Sequence, residues 1–395
     1  MTRMKLAALA AALALPFAAL AEDAGTFKIP GTNTTLRLYG YVQTDMTFDV
    51  SGRIADIENY DWASIVSVQP LDGTVDAEKT GQLYFTARTT RVGFTTSTPT
   101  DAGAIGTKIE ADFNGPNGFQ GQTFTNSVLF RLRHAYGTIG GLLVGQTWTN
   151  FLDLASYPDT VDFNGPGSIA LIRQPQIRYS FSLPSNLGLA FSLENSRNGS
   201  VGRYIPDVTG ALSTSGKWGT AALRLMTNQY RTGGGGTGSP KQGFGGALSG
   251  SFKVGNDTLV AHVVGGEGLG RYLFNGITNF FGTNAAGEFA LWQALAYHIG
   301  YTHVWNPTWR SNLVWSQTFF GENGITPYTG PEDQATGVFQ ENKRIDQAFV
   351  NTFWSFAKNA EFGLEYAYGL RHTYAAVGAN GRENRINASL HYNIY

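Results

Sequence analysis

An all-β chain closed into a transmembrane antiparallel β-barrel of about sixteen strands is the fold class this sequence predicts. Three observations predict it. Apolar and polar residues alternate along most of the 395 residues, which is the period of strands with one apolar and one wet face. Connections alternate between tight turns and longer polar loops, as in a barrel with short turns at one end and long loops at the other. The composition agrees: glycine reaches 50 residues, aromatics are 13% and charged residues only 14%, where soluble domains carry about 25% charge. Cysteine is absent, which excludes disulfides and thiolate metal sites.

The elements follow in order. Arg3 and Lys5 precede the apolar run Leu6 to Leu15, and Ala19-Leu20-Ala21 supplies a small-x-small cleavage site. Residues 1–21 therefore read as a signal peptide and 22–395 as the barrel domain. Removing the leader takes two of the 28 basic residues and none of the 29 acidic ones, leaving a net charge of −3. That balance argues against nucleic acid as a partner, which requires a basic face. No later run reaches the ~18 apolar residues of a spanning helix.

The first strand is Thr35 to Val50, with Leu36, Leu38, Val42 and Phe48 on one face and Arg37, Tyr39, Tyr41, Gln43 and Asp45 on the other. In Gln82 to Thr98, Arg88 and Arg91 differ in parity, so either a bulge intervenes or one of them sits at the rim. After the turn Pro99-Thr100-Asp101, Lys108, Glu110 and Asp112 alternate with Ile109, Ala111 and Phe113. Later hairpins turn at Gly140-Gly141, Pro184-Ser185-Asn186, Gly216-Lys217, Gly255-Asn256, Asn306-Pro307 and Lys358-Asn359. The last strand, Arg385 to Tyr395, sets Ile386, Leu390, Tyr392 and Ile394 against Arg385, Asn387, Ser389, His391 and Asn393. The count is about sixteen, with fourteen and eighteen still open, a size that leaves an aqueous channel. Aromatics crowd the tight-turn ends at Phe181, Trp218, Trp305, Trp309, Trp354, Phe356, Phe362 and Tyr395, the placement of an interfacial girdle.

Charge chemistry concentrates between Phe130 and Arg178. Arg131 and Arg133 share a strand face, with Leu132 and Tyr136 on the other. A charge facing lipid at mid-depth costs about 2–4 kcal/mol, so the arginine face belongs to the lumen. The connection Asn150 to Ile172 carries Asp153, Asp159 and Asp162 and no Lys or Arg. Folded inward, residues 150–172 form a constriction loop against the arginines. The expected pore lining is Arg91, Arg131, Arg133 and Arg178 on the wall and Asp153, Asp159 and Asp162 on the loop, with Lys108, Glu110 and Asp112 continuing the lumen charge. Basic side chains around a pore set anion preference; the blander reading, compatible with the first, is that these charges pin the loop. The six histidines fall in no H-E-x-x-H or i,i+4 pair, and Gly233 to Gly238 lacks the ending of a phosphate-cradling loop. Neither a metal nor a cofactor is expected.

Several segments resemble a known family. Gly31-Thr32-Asn33-Thr34, Leu38-Tyr39-Gly40-Tyr41-Val42, Arg91-Val92-Gly93-Phe94, Ile109 to Phe113, Arg131 to Tyr136 and Gly145-Gln146-Thr147-Trp148-Thr149 are similar to the DcaP-like outer-membrane porins. Asp162-Phe163-Asn164-Gly165-Pro166 and Arg173-Gln174 extend the likeness. It covers the N-terminal half well and the C-terminal half by architecture. The resemblance implies a trimeric, sixteen-stranded outer-membrane channel that prefers small anions such as dicarboxylates. The expected function is passive diffusion of small hydrophilic solutes, without catalysis, in the outer membrane of a Gram-negative bacterium. Its expected partners are outer-membrane lipid, the solutes and further copies of the chain. The alternatives are an outer-membrane barrel hydrolase of phospholipase type, which no G-x-S-x-G elbow supports, and an exported soluble β-binding protein.

Overall fold

The structure is a computed structural model that describes residues 25–51, 71–73, 75–78, 80–115, 129–195, 205–231, 240–274, 281–330, 340–375 and 380–394. The leader 1–21, the Gly233 to Gly238 loop and Tyr395 lie outside the described residues.

Alternating sequence becomes strand almost throughout. A short lead, β1 (Thr26–Lys28), pairs with the start of β2 (Thr35–Ser51), and β3 (Gln82–Thr86) and β4 (Arg91–Thr98) are two halves of one span. Next come β5 (Ile105–Asp112), β6 (Arg131–Ile139), β7 (Leu142–Trp148), β8 (Arg173–Leu183), β9 (Leu187–Glu194) and β10 (Asp207–Gly216). Longer spans follow: β11 (Gly219–Arg231), β12 (Pro240–Val254) and β13 (Asp257–Glu267). A separate hairpin of β14 (Phe281–Thr283) and β15 (Phe289–Leu291) precedes β16 (Gln293–Asn306), β17 (Trp309–Gly321), β18 (Asn342–Ala357), β19 (Ala360–Thr373) and β20 (Asn380–Asn393). All neighbours are antiparallel, and β20 pairs back onto β2 with Val42 opposite Tyr392 and Phe48 opposite Ile386. Closure leaves the sheet no free edge. With β3 and β4 counted together the wall has sixteen spans, which resolves the open range of the sequence count.

The two faces of the wall separate as the alternation requires. Val42, Val92, Ile109, Leu132, Val144, Ile177, Leu248, Leu313 and Val350 point outward and are exposed. An apolar surface this extensive is a liability in water and the expected coat of a barrel in lipid. At the tight-turn end Phe181, Trp218, Trp305, Trp309, Trp354, Phe356 and Phe362 are all exposed, and Trp309 and Trp354 lie 5.9 Å apart across β17 and β18. On the last strand Leu390, Tyr392 and Ile394 face outward while Arg385, Asn387 and Ser389 are buried inside.

Two irregularities decide which side chains reach the interior. Between β3 and β4 the backbone turns at Ala87, with Thr90 N–H bonded to the Ala87 carbonyl. The break resets parity, so Arg88 reaches inward to the Tyr84 hydroxyl and Arg91 also faces in. In β6 the register steps from Glu110 opposite His134 to Ala111 opposite Leu132, leaving Arg133 as the extra residue of a bulge. Tyr136 therefore joins His134 on the inward face, 6.2 Å away between ring centroids, and does not share the outward face with Leu132 as simple alternation implied. Gly145 sits directly opposite Tyr136 at φ 131°, where a Cβ would come 2.3 Å from the Ala135 carbonyl oxygen. Only glycine tolerates that close approach.

Lys217 and Lys358 fall in tight turns at the same end of the barrel. In intact cells, cysteines introduced at Ser215 and Thr237 are expected to react with an impermeant thiol reagent only at 237. Exterior labelling at both would contradict the expected orientation, in which the tight-turn end is periplasmic and the long loops lie outside.

Candidate functional site

The connection 149–172 leaves β7 and returns to β8 beside its own start, with Thr149 N–H bonded to the Ile172 carbonyl at 3.1 Å. Between these points it folds into the barrel. Phe151, Leu152, Ile169 and Ala170 pack on Met226, Val264 and Ala296 of the inner wall and on Leu269 and Tyr272 of the connection that follows β13. Each such large apolar side chain contributes about 1.5–3 kcal/mol when buried, so the loop carries its own hydrophobic anchor. Sequence charge placed the loop inside the barrel; this apolar seam is what holds it there.

Polar anchors hold its other side. Asn150 donates its N–H to Glu194 at 2.8 Å and accepts from Arg224 Nη1 at 2.6 Å. Asp153 caps the short helical turn Leu154–Ser156, accepts from Ser249 Oγ at 2.6 Å and lies 3.5 Å from Arg224. Farther along, Asp159 pairs with Arg310 at 2.6 Å, and Arg310 also donates to Glu361 at 2.9 Å. At the tip, the Val161 and Asp162 N–H groups donate to the two oxygens of Glu365 at 2.9 and 2.8 Å. Asn351 and Asn387 donate to the same carboxylate. Asp162 turns its side chain onto the Asn164 and Gly165 N–H groups. Backbone groups taken from water are thus satisfied one by one.

The histidine in this system is structural. Ser316 Oγ donates to Ser168 Oγ at 2.9 Å, Ser168 lies 3.0 Å from His298 Nδ1, and His298 Nε2 lies 2.9 Å from the Ser156 carbonyl. One tautomer satisfies the whole chain, with Ser168 donating to the ring and the ring to Ser156. Ser168 is fully buried and His298 is 1% exposed, so this serine–histidine contact is closed to a substrate. Among the described residues no group of three or more His, Asp or Glu side chains is arranged to hold a metal ion.

The opposite inner face is basic. Arg131 grips Asp112 with two bonds of 2.8 and 2.7 Å, and Arg133 bridges Glu110 at 2.8 Å and Asp112 at 2.7 Å. Arg91 and Lys108 close on Glu110 at 3.5 and 3.3 Å. Arg173 lays its guanidinium 4.1 Å from the centre of the Trp148 ring, and Arg133 lies 6.0 Å from the same ring. Exposure separates the two signs. The carboxylate side chains of Glu110 and Asp112 are 5% and 0% exposed, whereas those of Arg91, Lys108 and Arg131 are 21%, 23% and 19% exposed. The acids lie behind the cations, so what meets the interior water there is positive.

The structure therefore brings Arg91, Arg131, Arg133, Lys108, Glu110 and Asp112 into one cluster. Arg178 stands apart, buried, with Nε donating to Gln176 at 2.9 Å. Asp153, Asp159 and Asp162 do not meet this cluster; Arg224, Arg310 and the loop's own backbone take them. Arg173, Trp148, Arg224, Arg310 and Glu365 were missed. Arg224, Arg310 and Glu365 carried only an inward parity shared with many other residues, and their loop partners lie far away in sequence. Arg173 and Trp148 carry the outward parity of Ile177 and Val144 and meet at the ends of β8 and β7, so alternation left Arg173 undecided.

A family model described as DcaP outer membrane protein matches residues 13–394. The outer membrane channel DcaP of Acinetobacter baumannii is 26% identical, with a TM-score of 0.79 over 93% of this chain and 99% of that one. Porin Omp2b of Brucella canis is 28% identical over 218 residues, 51% of this chain and 53% of that protein, so the chain spans about half the length of the curated relatives it matches. OmpT of Vibrio cholerae in its trimer form is 11% identical, with a TM-score of 0.56 over 91% of this chain and 99% of that one, a likeness of fold alone. With a sixteen-span closed wall and a family match along nearly its whole length, the chain belongs to the DcaP outer membrane protein family.

Proposed function

We propose that this protein is a water-filled diffusion channel for small hydrophilic solutes across the outer membrane, that it favours small anions such as dicarboxylates, and that it works as a homotrimer. One observation carries the anion preference: Arg91, Lys108 and Arg131 are partly exposed on the inward face while Glu110 and Asp112 are covered beneath them. A guanidinium stays charged at any working pH and offers a planar fork matched to a carboxylate. Arg91, Lys108 and Arg131, gathered around Glu110 and Asp112 and partly exposed, sit within a Debye length of one another, so a small dicarboxylate meets more than one of them, while the buried Arg133 holds the two acids beneath. The underlying acids weaken that contact enough for release, which conduction requires. On the other side of the interior, Asp159 and Glu361 share Arg310 and Glu365 is buried under the loop tip, so the acids there are engaged while the cations of the cluster stay partly exposed.

Liposome swelling tests the solute class. A small dicarboxylate is expected to enter faster than a neutral sugar of similar size, and equal rates would remove the preference. Assembly follows from the outer face. Spans β5 to β10 are short, at 7–11 residues, and Leu38 and Val42 with this region's outward residues form a face free of charge. Apolar packing between barrels needs such a face. Under mild detergent the purified complex is expected to have the mass of three protomers; a stable single-protomer mass would contradict the assembly.

A further inference from the structure

On the outward face of β16 to β20, one cluster breaks the apolar coat. Its residues take their direction from the register. Gln317 pairs with Asp346, and the two share the strand face of the exposed Leu313, Trp315 and Val350. Tyr297 donates its hydroxyl to Gln317, and Gln317 Nε2 donates to Asp346 at 2.7 Å. Arg344 donates Nε to Asp346 at 3.0 Å and sets Nη2 2.7 Å from His372 Nε2. The carboxylate is thereby covered, its side chain 6% exposed, while Arg344 remains 40% exposed. Two strands along the same row, Asp346 opposite Leu370 and Leu370 opposite Arg382, stands a second outward guanidinium, 61% exposed beside Asp72.

The depth of this cluster is not arbitrary. Arg344 lies ten residues along β18 from Trp354, one of the exposed aromatics at the tight-turn end. Ten residues at ~3.3 Å, tilted about 40°, rise about 25 Å, which is the height of the apolar band of an outer-membrane barrel. The guanidiniums therefore stand where acyl chains give way to headgroups at the long-loop edge. A charge on the lipid face costs little at that level, about 0–1 kcal/mol, but that tolerance does not explain why Asp346, Gln317 and His372 orient one arginine. The two edges also differ: the exposed indoles of Trp218, Trp305, Trp309 and Trp354 mark the tight-turn edge, while at the long-loop edge phenyl rings such as Phe244 and Phe319 share the surface with this hydrogen-bonded charged row.

We infer that Arg344 and Arg382 seat the phosphate-bearing headgroup of a glycolipid in the outer leaflet. Asp346 neutralises no ligand here; it holds the Arg344 fork so that its remaining face is presented to a phosphate, the geometry in which arginine binds phosphate best. Tyr297 and Gln317 supply hydroxyl and amide groups for the sugar.

The test is native mass spectrometry of the detergent-purified complex mixed with bisphosphorylated lipid A, with its dephosphorylated form, or with phosphatidylethanolamine. Retention is expected for bisphosphorylated lipid A and at least tenfold less for the other two. Arg344→Ala/Arg382→Ala is expected to lose that retention, with channel conductance and assembly unchanged, whereas Lys217→Ala at the opposite edge keeps it. Equal retention of phosphorylated and dephosphorylated lipid by the wild type overturns the inference without any variant. So does unchanged retention in the double variant, or loss of assembly in it, which would make the cluster a subunit contact.

Discussion

Replacing Arg131 and Arg133 together with alanine is expected to shift the channel's permeability ratio toward cations by on the order of tenfold. A unit charge about 6 Å from a passing ion contributes ~0.7 kcal/mol in water-like surroundings, about threefold in local ion concentration, and two such charges are removed. The change goes further than neutralisation, because both arginines cover Asp112 and Arg133 also covers Glu110. Their loss takes the cluster from a net positive charge to neutrality, with Arg91 and Lys108 balancing Glu110 and an uncovered Asp112. Breaking buried pairs on one side costs about 3–5 kcal/mol, so a lower folded yield is also expected. Glu110→Gln/Asp112→Asn gives the opposite sign, with stronger anion preference. Combining all four substitutions removes the uncovered carboxylates and leaves Arg91 and Lys108 as the cluster's charge, so yield is expected to recover in part and the anion preference to return. Reversal potentials under a salt gradient read all three, and an unchanged ratio in the folded arginine variant would leave these side chains structural.

The second large effect is expected at Glu365. Glu365→Ala removes the acceptor for the Val161 and Asp162 N–H groups and for the amides of Asn351 and Asn387. Hydrogen bonds to a charged group contribute about 1.5–3 kcal/mol each, so the loop tip loses about 3–6 kcal/mol of restraint from its own two bonds. The base of the loop stays put, because Phe151 and Ile169 remain packed and Arg310 still holds Asp159. The tip then moves off the far wall, single-channel conductance rises and larger neutral sugars enter proteoliposomes. Unchanged conductance and size cut-off in Glu365→Ala would mean that the tip does not constrict the pathway.

The wall was legible in the sequence for a physical reason. Lipid on one side and water on the other force a period of two, and the tight turns break it at regular intervals, so the outward row of Val42, Ile109, Leu132 and Leu313 declares itself. Parity fails where the ladder gains a residue. The Arg133 bulge turns Tyr136 inward, and no residue type in that stretch announces it. The site was legible only by half. Arg91, Lys108, Glu110, Asp112, Arg131 and Arg133 lie on three successive spans, so local register brings them together. Asp159 meets Arg310 from 151 positions away and Val161 meets Glu365 from 204, pairings set by the path of the loop through the interior. Alternation assigns a face to each of these residues but not an azimuth around the barrel, so the aspartates were set against the wrong arginines.

The central claim is that cations shielding their own carboxylates give this channel a positive inner surface. The most direct measurement is the zero-current potential of the wild-type channel in a planar bilayer separating concentrated from dilute potassium chloride. An anion-selective channel sets the dilute side negative, because chloride crosses toward it faster than potassium. That sign is the result predicted, and it is expected to weaken as salt is raised on both sides and the exposed guanidiniums are screened. A dilute side that becomes positive, in a folded and conducting preparation, would contradict the account.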